Sequence, residues 1–163
     1  MNRRAFGKAA VAAAASSYGR ILGANDRIRL GAIGTGGRCQ YLMRIANEIG
    51  GCEFVAVNDC NRARAEKAKA ELAPNARIYT DFKALLDDKA VDAVIIGSPD
   101  HWHVPMLVEA VKAGKDVYIE KPLTHQIEQG QQAIEAVKQS GRVVQVGYQQ
   151  RSYPHMIEAR QLI

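Results

Sequence analysis

Cysteines, aromatic side chains and long apolar runs are all scarce in this chain of 163 residues. The three cysteines, Cys39, Cys52 and Cys60, have no CxxC spacing and are odd in number, so neither a zinc site nor a disulfide framework is predicted. We expect Cys60 to be the most exposed thiol. Because no apolar stretch is long enough to cross a bilayer, stable membrane insertion is not expected.

The net charge of +5 comes mostly from one end of the chain. The first 24 residues carry Arg3, Arg4, Lys8 and Arg20 and no acidic residue. The other 18 basic and 17 acidic residues nearly cancel. The body of the protein therefore offers no basic surface, and nucleic acid is not an expected partner.

The N-terminal segment, residues 1–24, is similar to a twin-arginine export signal. Arg3 and Arg4 precede an alanine-rich stretch over residues 9–15, and Leu22-Gly23-Ala24 offers small residues for cleavage. We therefore expect a periplasmic or otherwise exported protein that crosses the membrane already folded. The alternative is a disordered basic start or an amphipathic helix, which would leave the protein in the cytoplasm.

From residue 25 onward, short apolar runs alternate with helical stretches, the pattern of βαβ units around a parallel sheet. We predict an α/β fold with a doubly wound, mostly parallel Rossmann sheet over residues 25–150, and we interpret residues 151–163 as the start of a link to a further domain. The strands are expected near residues 27–33, 53–58, 77–79, 92–97, 116–119 and 143–146. The helices are expected to end at 49 and to cover 62–72, 81–86, 104–113 and 125–140, the last with Thr124 as its N-cap.

A glycine-rich turn follows the first predicted strand, Gly34-Thr35-Gly36-Gly37-Arg38, and we predict all five residues to contact a dinucleotide. Gly34 allows the tight turn, and Gly36 has no side chain to obstruct a pyrophosphate. The following helix directs its N–H groups at that phosphate. Cys39 occupies the third glycine position of the GxGxxG pattern, so we expect the helix to pack slightly farther from the strand.

Asp59 ends the second apolar run, where a carboxylate accepts hydrogen bonds from the adenosine ribose hydroxyls. It favours NAD over NADP, because it would repel the 2′-phosphate of NADP. Arg62 or Arg64 would soften that repulsion, which keeps NADP open as a cofactor. The alternative is that Asp59 only caps the next helix.

The motif Ser98-Pro99-Asp100-His101-Trp102-His103 follows the central predicted strand, at the edge where open α/β sheets bind ligands. Asp100 is also explained as a simple helix cap. Trp102 is expected to pack against other side chains rather than to contact a cofactor. The two histidines lack the nearby third ligand that a metal site needs, so no metal is predicted.

The triplet Glu120-Lys121-Pro122 follows the next strand and should face the same crevice. A partly desolvated lysine close to a cationic nicotinamide ring is able to exchange a proton at neutral pH, and Glu120 would orient it. The alternative is a surface ion pair before a proline turn.

The glycine turn, these two motifs and the run Val146-Gly147-Tyr148-Gln149-Gln150-Arg151 together resemble the Gfo/Idh/MocA oxidoreductases. The resemblance implies an NAD(P)-dependent dehydrogenase that transfers hydride between nicotinamide and a sugar, inositol or related polyol. It makes Lys121 and His103 the candidate catalytic residues, with His103 also beside the nicotinamide and ribose. The cofactor-binding residues that it adds are Ser98, Pro99, Glu120, Lys121 and Gln149.

The same resemblance implies a second α/β domain beyond residue 150. We therefore expect this chain to be the N-terminal part of a longer protein, and expect a homo-oligomer only with that second domain. The sequence leaves two alternative functions open. One is an NAD-dependent glycoside hydrolase of the same fold, which tends to lack the lysine of the triplet, and the other is a non-catalytic dinucleotide-binding module.

Overall fold

Six strands and six α-helices alternate along residues 27–162, the part of the chain that the computed structural model describes. The strands are β1 (Ile28–Ile33), β2 (Cys52–Asn58), β3 (Arg77–Tyr79), β4 (Ala93–Ile96), β5 (Asp116–Glu120) and β6 (Val144–Gly147). The helices are α1 (Gly37–Ile49), α2 (Arg62–Leu72), α3 (Phe82–Leu86), α4 (His103–Lys112), α5 (Ile127–Ser140) and α6 (Pro154–Gln161). Two 3-10 turns cover Asp100–Trp102 and Gln149–Ser152.

The six strands form one parallel sheet in the order β3-β2-β1-β4-β5-β6. The predicted α/β Rossmann class is confirmed. The chain builds outward from β1 through β2 and β3, then crosses to β4 and builds outward on the other side. The strand order therefore reverses between β1 and β4, and the crevice outside the carboxyl ends of these strands is where such sheets bind ligands.

Both faces of the sheet are buried. Successive side chains of a strand point to opposite faces, so Ile33 and Ile96 join the core under α4, while Ala32 and Ile95 join a second core under α1. Because the central strands are covered on both sides, they read as continuous apolar runs in the sequence.

Most predicted element boundaries lie within two residues of those observed, and α2 and β3 coincide with them. The start of α5 differs. Thr124 does not cap this helix, which begins at Ile127. Instead, Gln129 Oε1 accepts hydrogen bonds from the backbone N–H groups of His125 at 3.1 Å and Gln126 at 3.3 Å, as in a capping box.

The predicted export signal, residues 1–24, lies outside the described residues, and the domain division at residues 25 and 150 stays a prediction. Over residues 27–162, no helix combines the length and the apolar character needed to cross a membrane. Helix α6 buries none of its side chains, so the sheet and the helices packed on it position the site.

Candidate functional site

The turn between β1 and α1 lies directly against the loop after β4. Gly34 has a φ of +76°, and a Cβ there would lie 2.7 Å from Ser98 N and Cα, so both conformation and space require glycine. A Cβ at Gly36 or Gly37 would meet no atom within 4 Å. The first N–H groups of a helix lack intrahelical acceptors, and here they begin at an open surface that an anion can approach.

Cys39 packs closely against the end of β4, at the position of the third glycine of the pattern. Its side chain is fully buried, and a Cβ on Gly97 would lie 2.8 Å from Cys39 Cβ. The space that a glycine on the helix would provide is thus provided by Gly97 on the strand side. Burial, together with Asp59 and Glu120, raises the pKa of the Cys39 thiol to about 12, so this sulfur is not a nucleophile.

A cavity of about 710 Å³ opens at the carboxyl edge of the central strands. The glycine turn, the ends of β2 and β4 and the loop after β3 contribute to its lining. The sequence-predicted residues that line it are Gly34, Gly36, Gly37, Arg38, Asp59, Ser98 and Pro99.

Asp59 is buried at the rim of this cavity and is held by its neighbours. Its Oδ1 accepts a hydrogen bond from Asn61 N at 2.9 Å, and its Oδ2 accepts one from Thr35 Oγ1 at 3.4 Å. The cap of α2 is Asn61, whose side chain accepts from Ala63 N. The interpretation of Asp59 as only a helix cap is therefore wrong. Thr35 is fully buried, so its side chain contacts the Asp59 carboxylate and is not exposed to the cavity.

The two arginines after Asp59 differ in position. Arg64 lines the cavity, whereas Arg62 pairs with Glu66 at 2.8 Å on the exposed face of α2. Arg64 is therefore the one placed to act on a 2′-phosphate.

A second cavity, of about 360 Å³, adjoins the first, and its lining includes His103, Glu120 and Lys121. Arg38, Gly97 and Ser98 line both cavities. The structure thus brings the two predicted motifs together at one sheet edge. Lys121 is exposed at this cavity rather than partly desolvated, because no described element covers it.

Glu120 does not orient the Lys121 ammonium, contrary to the sequence-based expectation. Its buried carboxylate accepts a hydrogen bond at Oε1 from Arg38 Nε at 2.7 Å, and Arg38 Nη2 lies 2.7 Å from the same oxygen as an ion pair. Its Oε2 accepts one from the Lys121 backbone N–H at 3.2 Å. A hydrogen bond between a charged guanidinium and a carboxylate is stronger than one between neutral groups, and Arg38 in the first turn of α1 supplies it. Glu120 therefore fixes the backbone from which Lys121 projects.

His103 is buried with both ring nitrogens facing backbone carbonyls. Its Nδ1 lies 2.6 Å from Pro122 O and its Nε2 lies 2.9 Å from Ser98 O. The ring thereby ties together the loops after β4 and β5. This arrangement favours a positioning role for His103, and its predicted catalytic role stays a prediction.

Two further polar side chains, those of Ser98 and Gln149, lie near the cavities. Ser98 Oγ is buried, and no atom of the described chain hydrogen-bonds it. The Gln149 amide lies between Gly147 O and Arg38; with its nitrogen donating to Gly147 O, its oxygen accepts from Arg38 Nη2 at 3.3 Å. Gln149 therefore joins the Arg38–Glu120 pair beside the smaller cavity.

The sequence reasoning missed the contribution of the loop after β3. Phe82 lines the larger cavity and packs edge to face against Trp102, with ring centroids 6.2 Å apart. Trp102 packs as expected, yet it stays 45% exposed and lines the cavity. The sequence does indicate this contribution, since the loop follows a strand of the predicted parallel sheet and therefore lies at the carboxyl edge that carries the cavity.

Within residues 27–162, no group of three His, Cys, Asp or Glu side chains is close enough to hold a metal ion. His101 is exposed beside Asp100, while His103 faces two carbonyls. The two histidines of the motif thus have separate surroundings.

Comparisons with known proteins agree with this geometry. A family model described as an oxidoreductase family with an NAD-binding Rossmann fold matches residues 28–148. Inositol 2-dehydrogenase of Paracoccus denitrificans is 36% identical over 138 residues, which cover 83% of this chain and 41% of that protein. scyllo-Inositol 2-dehydrogenase (NAD(+)) of Bacillus subtilis is 33% identical, covering 84% of this chain and 40% of that protein.

The structure of myo-inositol dehydrogenase from Lactobacillus casei, in complex with NAD(H) and myo-inositol, has a TM-score of 0.79 and 29% identity, covering 83% of this chain and 41% of that one. The chain spans about two fifths of the length of the curated relatives it matches. The expected cofactor class, NAD, is confirmed at the level of the family. This chain belongs to the Gfo/Idh/MocA family of oxidoreductases with an NAD-binding Rossmann fold.

Proposed function

We infer that this chain is the dinucleotide-binding part of an NAD-dependent dehydrogenase that oxidises inositol or a related polyol. The observation that carries the proposal is the convergence of the glycine turn, Asp59 and Lys121 at one edge of the sheet, where two adjoining cavities lie. The similarity to inositol dehydrogenases supports the choice of a polyol substrate.

The residues present fit a dinucleotide. Gly36 and Gly37 leave open space at the start of α1, and Asp59 is already fixed at the cavity rim. The buried Ser98 hydroxyl has no partner among the described residues, which is costly unless a ligand supplies one. These residues would hold the cofactor together with Pro99, which lines the larger cavity, Arg38, which lines both cavities, and Gln149, which contacts Arg38.

When bound, the nicotinamide ring supplies the hydride acceptor. The residues of this chain then orient the substrate and handle its proton. Lys121 Nζ exchanges a proton with the reacting hydroxyl, as a general acid–base group within hydrogen-bond reach does. Glu120 and His103 act indirectly, because they contact the backbone of Lys121 and of the next residue, Pro122.

Calorimetry of the chain with NAD⁺ and NADP⁺ tests the cofactor part of the proposal. We expect NAD⁺ to bind more tightly, because the Asp59 carboxylate repels a 2′-phosphate. The variant Asp59→Asn, which removes the negative charge, should reduce the difference in affinity between NAD⁺ and NADP⁺. Failure of both dinucleotides to bind would contradict the proposed function.

The variant Lys121→Ala, made in the complete protein, tests the chemistry. Its turnover with inositol should fall by roughly 10²–10⁴-fold, the usual range for loss of a general acid–base group. Lys112→Ala, which removes an exposed lysine on α4, is the matched control. Unchanged turnover in the Lys121 variant would remove this residue from the mechanism.

We further infer export by the twin-arginine route, supported by Arg3, Arg4 and the alanine-rich stretch after them. Replacing both arginines with lysine should keep the protein in the cytoplasm, measured by cell fractionation. Periplasmic recovery of that variant would contradict the proposal. The homo-oligomer and the second domain likewise stay predictions.

A further inference from the structure

An aspartate lines the smaller cavity together with the lysine proposed to transfer the proton. Asp100 begins the 3-10 turn after β4, and Lys121 directly follows β5. The Asp100 side chain is 47% exposed. It does not cap α4, because the N-cap residue of that helix is Trp102. Capping of α4 therefore does not explain an aspartate at this position.

Three other polar side chains of this cavity are engaged within the protein. Arg38 and Glu120 pair with each other, and both ring nitrogens of His103 face backbone carbonyls. Asp100 uses one of its two carboxylate oxygens. Its Oδ1 accepts a hydrogen bond from His101 N at 2.9 Å, whereas its Oδ2 accepts none from the described part of the chain. One carboxylate oxygen is thus available to a ligand in the cavity.

The loops that carry Asp100 and Lys121 are tied to each other. His103 contacts Ser98 O through Nε2 and Pro122 O through Nδ1. Ser98 lies two residues before Asp100, and Pro122 is the residue after Lys121. The carboxylate and the ammonium therefore belong to loops that one buried ring holds together. A ligand that contacts both groups would need little rearrangement of the protein, which favours its binding.

The two groups offer complementary hydrogen bonding to a ligand that carries hydroxyls. An ionised carboxylate only accepts hydrogen bonds, whereas a protonated ammonium only donates them. A hydroxyl donates one hydrogen bond and also accepts, so it can contact either group. An apolar group placed against Asp100 would remove water from the carboxylate without replacing its hydrogen bonds, which is unfavourable. The cavity therefore favours a ligand with hydroxyls at neighbouring positions.

We propose that Asp100 is a substrate-binding residue, which accepts a hydrogen bond from a hydroxyl next to the reacting one. This inference rests on the proposed polyol dehydrogenase function and deepens it. Lys121 acts on the reacting hydroxyl, and Asp100 holds the hydroxyl on the adjacent carbon. Asp100 thereby selects vicinal polyols over alcohols that lack the second hydroxyl.

Steady-state kinetics of the complete protein test this role with myo-inositol and the two deoxyinositols that lack a hydroxyl next to the oxidised carbon. The wild type should prefer myo-inositol over one of these deoxyinositols by roughly 10- to 100-fold in kcat/KM, because a charged group is left without its hydrogen bond. Asp100→Ala should raise the KM for myo-inositol and abolish this preference. The affinity for NAD⁺, measured by calorimetry, should not change. Asp87→Ala is the matched control, because Asp87 is exposed and lines neither cavity.

The variant Asp100→Asn separates substrate binding from a structural role. Its amide oxygen can still accept from His101 N, which preserves the turn, but the charged acceptor at the cavity is lost. This variant should also lose most of the preference for myo-inositol, and it decides the question if Asp100→Ala does not fold. A purely structural role would lower kcat/KM equally for all three substrates, and that result would overturn the inference.

The remaining outcomes distinguish this inference from the proposed function. If the wild type oxidises myo-inositol but shows no preference over either deoxyinositol, or if both Asp100 variants keep the preference, the inference is overturned and the dehydrogenase function stands. A loss of NAD⁺ affinity equal to the loss of kcat/KM also overturns it, because Asp100 would then bind the cofactor. A wild-type protein that binds no NAD⁺, or that oxidises none of the three substrates, overturns both.

Discussion

Arg38 Nε donates a hydrogen bond to Glu120 Oε1 at 2.7 Å, and Arg38 Nη2 forms an ion pair with the same oxygen, also at 2.7 Å. Arg38 belongs to the first turn of α1, and Glu120 ends β5, so the pair joins the two halves of the sheet across the edge that carries the site. The carboxylate is 5% exposed and the guanidinium 38%. The pair therefore couples the glycine turn to the Lys121 loop.

The variant Arg38→Met should lower the free energy of unfolding by about 1–3 kcal/mol, because it leaves a buried carboxylate without its charged donor. Glu120→Gln should cost a similar amount, and the double variant should cost less than the sum of the two. Urea denaturation measures all three. Arg62→Met is the control, since its exposed pair with Glu66 contributes only about 0.5 kcal/mol. Additive losses at Arg38 and Glu120 would show that the two side chains do not interact.

Gly97→Ala should destabilise the protein by about 1–3 kcal/mol, because the new Cβ would lie 2.8 Å from Cys39 Cβ. Removing that Cβ with Cys39→Gly should relieve the overlap, so the double variant should be more stable than the two separate losses predict. Thermal unfolding measures the difference. Gly36→Ala, whose Cβ would meet no atom within 4 Å, is the matched control for glycine replacement. Strict additivity would contradict close packing of α1 on β4.

Cysteine labelling should follow exposure and thiol pKa. Cys60 is exposed and should react first with iodoacetamide, whereas burial raises the pKa of Cys39 to about 12 and should protect it until the protein unfolds. Mass spectrometry of labelled peptides over time measures the order. NAD⁺ should slow the labelling of Cys60, which lines the larger cavity. Equal labelling rates at Cys39 and Cys60 in the folded chain would contradict the burial of Cys39.

Acid should remove a stabilising contribution from Asp92. Arg29 donates to both carboxylate oxygens, at 2.6 and 2.9 Å, and this hydrogen bonding lowers the pKa of Asp92 below its ordinary value of 3.8. A depressed folded-state pKa means that the stabilisation is present above about pH 4 and is lost as the pH falls through the folded value. Because both side chains are more than a third exposed, the contribution is under about 1 kcal/mol.

Urea denaturation as a function of pH measures this contribution. Asp92→Asn and Arg29→Met should each lose it at neutral pH and should approach the wild-type free energy of unfolding in acid. A constant difference between the variants and the wild type across the acid range would contradict the assignment.

The local sequence pattern was sufficient to predict the helices, the strands and the edge of the sheet at which the candidate site lies. The boundaries of α2 and β3 follow from helix propensity, the Asn61 cap and the apolar run after Pro74, all of which act within a few residues. The start of α5 was misplaced because Thr124 and Gln126 are both near the helix start, and the choice depends on which backbone N–H groups Gln129 reaches.

The pairing of side chains from distant segments could not be predicted in the same way. Arg38 and Glu120 are 82 residues apart, and nothing local indicates that Arg38, rather than Lys121, is the partner of that carboxylate. The same holds for the contact between Phe82 and Trp102, which depends on how the loops after β3 and β4 approach each other.

The sequence by itself determined a parallel α/β sheet, a glycine turn that admits a phosphate, and the strand ends at which the reactive side chains occur. These features depend on hydrophobic periodicity and on the conformational freedom of glycine, which are properties of short segments. Only the tertiary structure decided that Glu120 binds Arg38 and that Cys39 packs against Gly97, which has no side chain. It also decided that Phe82 and Trp102 pack together and line the larger cavity. Such relationships arise because side chains far apart in the chain compete for the same space and the same hydrogen-bonding partners.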